Sequence, residues 1–112
     1  MRNATLLMAV EDSGTTLRLR LAGEFDRAGV GPVEHALERL GQAPAPRRVV
    51  FDLRGLVFLD LAGLRTILRT DAQGRAEAFE VVIVRPRGTA NRVFTLTRAG
   101  ERLSIIDEPG AA

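Results

Sequence analysis

The chain has 112 residues, 46% hydrophobic and 27% charged, which suits one compact core and leaves little room for a second domain. Its pI of about 10.8 overstates its basicity, because the formal net charge is only +2 and every basic residue is Arg, so almost nothing titrates between the single His and the guanidinium groups. Without Trp, Tyr or Cys, the chain has no disulfide, thiolate nucleophile or Cys-based metal site, and stacking platforms for nucleic acid are nearly absent.

Met1-Arg2-Asn3 leads into only a short apolar stretch before Glu11 and Asp12, unlike a signal peptide, and no apolar run approaches a bilayer span. A cytoplasmic protein with no direct membrane insertion is expected. Thr5 to Val10 reads as a strand, followed by a turn at Glu11-Asp12-Ser13-Gly14. Thr16 to Ala22 alternates Leu17, Leu19 and Leu21 against Arg18 and Arg20, the period of a half-buried strand, so the two strands predict a hairpin. After Gly23-Glu24-Phe25-Asp26, Val33, Ala36, Leu37 and Leu40 recur at helical spacing, with Pro32 suited to the first turn and Gly41 to the end.

Ala43-Pro44-Ala45-Pro46 separates elements, and Arg47 to Leu53 reads as a strand covered on both faces. Asp60 opens a second helix with Leu64, Ile67 and Leu68 on its core side. Phe79 to Val84 gives another covered strand. A third helix is expected over about Gly88 to Arg98, burying Ala90, Val93, Phe94 and Thr97 and ending at Gly100. Leu103 to Ile106 suits a short last strand, and the tail from Glu108 is expected to be loose. The order β-β-α-β-α-β-α, with a further β, predicts an α/β fold. Its mixed sheet of four to five strands would carry three or more helices.

Loops at the carboxyl ends of parallel strands share one sheet edge, which brings Asp26 and Asp60 together as candidate site residues. Gly23-Glu24-Phe25-Asp26, Leu59-Asp60-Leu61-Ala62-Gly63-Leu64 and Leu96-Thr97-Arg98-Ala99-Gly100-Glu101-Arg102-Leu103 together resemble the STAS domains of anti-sigma-factor antagonists. The likeness spans roughly residues 5–107, within a single STAS domain expected over 1–112. It implies the STAS fold and a non-enzymatic role. That role is to bind an anti-sigma factor of histidine-kinase-like ATPase fold and so release a sigma factor. In the family that kinase phosphorylates the serine after the motif aspartate, and the phosphorylated form lets go. Here Leu61 occupies that position, so no phosphoacceptor is present and the usual off-switch is lost.

The expected partner-binding residues are Asp60, Leu61, Gly63, Leu64 and Arg65, with Asp26 and Arg69 behind them. On a helical wheel Leu61 borders the core face beside Arg65 and Arg69, and either a partner contact or an edge residue packing on its own sheet fits. The alternative functions are an accessory STAS subunit of a lipid-transport ABC system and a degenerate scaffold or decoy.

Plainer roles stand beside these. Asp60 and Asp26 suit helix capping, and Glu34, Glu38 and Arg39 read as a solvated helical face. Arg65 and Arg69 more often form plain surface, with mild i,i+4 repulsion. Arg85-Pro86-Arg87 reads as a loop, with an anion site at the same sheet edge as the lesser alternative. A lone His35 implies no metal site, and no phosphate-cradling loop with Lys or nucleophile motif is present, so no cofactor is expected.

Overall fold

A computed structural model describes residues 6–107. Thr5 and the tail from Glu108 lie outside that range. The elements run β1 (Leu6–Asp12), β2 (Thr16–Phe25), α1 (Arg27–Leu37) with a 3-10 turn (Glu38–Gly41), β3 (Arg48–Leu59), α2 (Leu61–Glu77), β4 (Glu80–Val84), α3 (Gly88–Thr97) with a second 3-10 turn (Ala99–Glu101), and β5 (Ser104–Ile106). The strands lie in sequence order in one five-stranded sheet. β1 pairs antiparallel with β2, and every later neighbour pairs parallel.

Three successive crossovers, each stepping one strand in the same direction, place their helices on one face when all are right-handed. The core shows that they do. Leu17, Leu19 and Leu21 of β2, Phe51 and Leu53 of β3 and Ile83 of β4 share one buried cluster with Val33 of α1, Leu64 and Ile67 of α2, and Ala90 and Phe94 of α3. The opposite face carries Leu7, Ala9, Arg20, Ala22 and Asp52, alternate residues that the described helices leave uncovered.

Several boundaries differ from the sequence expectation. β1 runs on through Glu11 and Asp12, and the turn is made by the Asp12 carboxylate accepting from Gly14 N, which sits at φ +93°. Gly23-Glu24-Phe25 is strand and not loop, because Phe25 is fully buried. β3 continues to Leu59. Two register shifts each give it one residue more than β2, and such a bulge breaks the alternation that marks a strand.

α1 begins at Arg27, so Pro32 lies inside it, and Leu40 is buried from the 3-10 turn instead of the helix. Arg39 is not simply solvated, since it binds the Asp12 carboxylate at 2.6 Å and the Gln42 and Pro44 carbonyls at 3.0 Å. α3 stops at Thr97 because Arg98 takes the left-handed conformation, two residues before Gly100, and Thr97 is exposed.

α2 buries Thr66 and Thr70 along with Leu64 and Ile67, turning its inward face toward α1. Those hydroxyls can be buried because each donates back one turn, Thr66 to Ala62 O and Thr70 to Thr66 O. Leu68 is left at the margin, half-buried.

Candidate partner-binding site

β2 and β3 run parallel and end in register, Phe25 opposite Leu59, so Asp26 and Asp60 leave the sheet side by side. The main chain ties the two exits together, with Asp60 N donating to Phe25 O at 3.2 Å. Each aspartate caps the helix that follows. The Asp26 carboxylate accepts from Ala28 N and the Asp60 carboxylate from Gly63 N, both at 3.0 Å. Each satisfies an amide that the first helical turn would otherwise leave unpaired.

Gly63 and Leu64 were expected to face a partner, and the structure corrects this. Leu64 is buried in the core. Gly63 is pressed against the end of β2: a Cβ there would stand 2.8 Å from both Phe25 O and Leu59 Cδ1. Both residues seat α2 on the sheet, so neither offers a surface.

Leu61, the first residue of α2, points outward with 57% of its surface exposed. The buried side of α2 is centred on Thr66, Ile67 and Thr70, which places Leu61 well round toward solvent. Most of the side chain therefore lies off its own sheet. Arg65 is exposed and forms no ion pair among the described residues, whereas Arg69 pairs with Glu34 of α1 at 3.3 Å.

Two neighbours open the same motif stretch but were not among the expected partner contacts. Val57 and Phe58 are 66% and 43% exposed. Val57 is the extra residue of the second β3 bulge, between the pairs Leu56–Gly23 and Phe58–Glu24. The exposed large apolar side chains at the β3–α2 junction are thus Val57, Phe58 and Leu61, within five residues of chain. Consecutive apolar residues in a strand ordinarily signal burial on both faces, so the exposure of these two is what the structure adds.

A second cluster was also missed. Asp52 of β3, only 4% exposed on the sheet face opposite the helices, accepts from Arg18 of β2 at 2.7 Å and from Arg54 at 2.9 and 2.8 Å. Hydrogen bonds from Arg54, outweighing the cost of burial, hold its carboxyl down at about 2. A charge interrupting the run Val49-Val50-Phe51 and flanked by Arg54 was the available signal. Among the described residues no group of three or more His, Cys, Asp or Glu could hold a metal ion, and no helix is long and apolar enough to cross a membrane.

Residues 8–106 match the family described as Mlab, STAS domain. The chain belongs to the STAS family. Among solved structures, the STAS chain is similar to an anti-sigma factor antagonist from Mycobacterium paratuberculosis, with 26% identity and a TM-score of 0.75 over 94% of this chain and 88% of that one. SpoIIAA, an anti-sigma factor antagonist in its unphosphorylated form, shares the fold at 20% identity and TM-score 0.72, covering 91% and 89% of the two chains. A candidate anti-sigma factor antagonist from Thermotoga maritima does so at 15% identity and TM-score 0.80, covering 91% and 87%. No curated protein matches the sequence.

Proposed function

We propose that this STAS protein is a non-enzymatic regulator of the anti-sigma-factor-antagonist kind. In this reading it binds an anti-sigma factor of histidine-kinase-like fold in the cytoplasm and thereby frees a sigma factor. The binding surface is the β3–α2 junction, with Leu61, Val57 and Phe58 as apolar contacts, Arg65 and Arg69 at the rim, and Asp26 and Asp60 holding the two exits in place. Leu61 carries the proposal. A large apolar side chain left outside the core, at the head of a capped helix and on the sheet edge where open α/β folds bind, is suited to being covered by another protein. With no hydroxyl at that position, control passes from phosphorylation to abundance or competition.

The test is capture of partners from a native soluble extract by wild type and by Leu61→Glu. Burying a leucine is worth about 1.5–3 kcal/mol, and a carboxylate in its place must in addition be stripped of water, so affinity should fall at least about a hundredfold. A kinase-like anti-sigma factor held by wild type and lost by the variant supports the reading. Equal capture by both forms places Leu61 outside the interface and refutes it. The same missing hydroxyl favours one second reading, an accessory subunit of a lipid-transport ABC system, which needs no phosphorylation switch. Recovery of transporter subunits would select it.

A further inference from the structure

The helix-free face of the sheet contains a cavity of about 560 Å³ that no part of the proposed partner surface touches. Its floor follows from strand register. Leu7 of β1 stands opposite Ala22 of β2, which stands opposite Gly55 of β3, and the row beside it runs Ala9, Arg20, Asp52. Ala22 and Gly55 make the hollow. They already lie so close that a Cβ on Gly55 would come within 2.8 Å of the Ala22 Cβ, so the sheet is bare there. Leu7, 70% exposed, walls one side.

Cations line the remainder. Arg20, Arg54 and Arg87 reach the cavity against one carboxylate, that of Asp52, which is already matched by Arg18 and Arg54. Among the described residues Arg20 otherwise pairs only with Glu11, at 3.3 Å in an exposed pair of little energetic weight. Arg87 has no ion pair among the described residues and stands at the N-cap of α3, whose first turn carries no acidic residue. Its neighbour Arg85, by contrast, is committed to Asp107 and Asn91.

The size suits a small ligand. Among the described residues no aromatic ring lines the cavity, so a nucleotide base would find nothing to stack on, whereas the floor is aliphatic. We infer that this cavity binds a single-chain amphiphilic anion, its alkyl chain over Leu7, Ala22 and Gly55 and its carboxylate or phosphate head against Arg20 and Arg87.

Amide shifts of the labelled protein, titrated with decanoate, decyl phosphate, decanol and inorganic phosphate below any micelle threshold, test this. Both decyl anions should saturate one site centred on residues 7–9, 20–22, 52–55 and 87. Decanol and inorganic phosphate should bind at least about tenfold more weakly, each lacking one half of the recognition. Arg87→Ala should weaken both anions about tenfold, and Ala9→Phe, which fills the hollow, should abolish binding. Selectivity for decanoate over decyl phosphate, or the reverse, identifies the head group. Decanol binding as tightly as decanoate, inorganic phosphate as tightly as decyl phosphate, shifts that never saturate, or unchanged affinity in both variants would each overturn the inference. The ligand series decides even if one variant fails to fold. Because partner capture through Leu61 is read separately, either result leaves the other standing.

Discussion

Replacing Asp52 by Asn removes one charge from a nearly closed site while keeping its shape. The wild-type carboxylate sits between two guanidinium groups, accepting from Arg54 through both oxygens and from Arg18 through one. Folding lowers its pKa from 3.8 to about 2, which corresponds to about 2 kcal/mol of stability. The amide keeps one acceptor but turns an N–H toward a guanidinium donor, so a loss of about 2–3 kcal/mol is expected at neutral pH. In a domain of this size that lowers Tm by about 10–20 °C.

The pH dependence separates charge from packing. A carboxyl whose folded pKa is depressed contributes fully above its unfolded pKa, and that contribution fades as pH falls through the folded value. Melting of wild type and Asp52→Asn, followed by circular dichroism from pH 7 to pH 2, should show a constant gap down to about pH 5. The gap should then narrow through pH 4 to 2, as the wild-type carboxyl becomes a neutral isostere of the amide. A gap that stays constant down to pH 2 would refute the electrostatic account and assign the loss to packing.

Asp60→Ala should cost about 1 kcal/mol in urea unfolding by exposing the Gly63 amide, and Asp60→Asn, which can still cap, much less. Gly63→Ala should cost about 1–3 kcal/mol despite the better helix propensity of alanine, because the new methyl meets a backbone carbonyl. Leu61→Ser should leave stability within about 0.5 kcal/mol, since the side chain is exposed. Incubated with ATP and the captured kinase-type partner, that variant should take up phosphate, wild type should not, and labelling of both would contradict the proposed loss of the switch.

The fold was legible where one physical signal dominated. The Leu17, Leu19, Leu21 alternation marks β2, and the covered run Val81-Val82-Ile83-Val84 marks β4. Asp60 stands at the head of α2, as its place before an apolar periodic segment required. The same local signals failed where contacts are not local. Pro32 suggested the start of α1, yet Asp26 caps the helix one turn and a half earlier, because β2 runs on to bury Phe25. The end of α3 is set at Arg98, whose left-handed conformation no sequence rule assigns to arginine.

Residue types and their order along the chain were thus enough to determine an α/β sheet of this connectivity, two capping aspartates on neighbouring strand exits, and a leucine directly after the second of them. Only the tertiary structure decided which of those residues lie at the surface. Gly63 and Leu64 are consumed in seating α2, while Leu61 is turned outward with Val57 and Phe58. It also joined Arg18, Asp52 and Arg54, and gathered Arg20 and Arg87 around one hollow. The physical reason is register. Periodicity says which residues share a face of one strand, but what stands opposite them is set by pairing and bulges between strands far apart in sequence, and no local pattern records it.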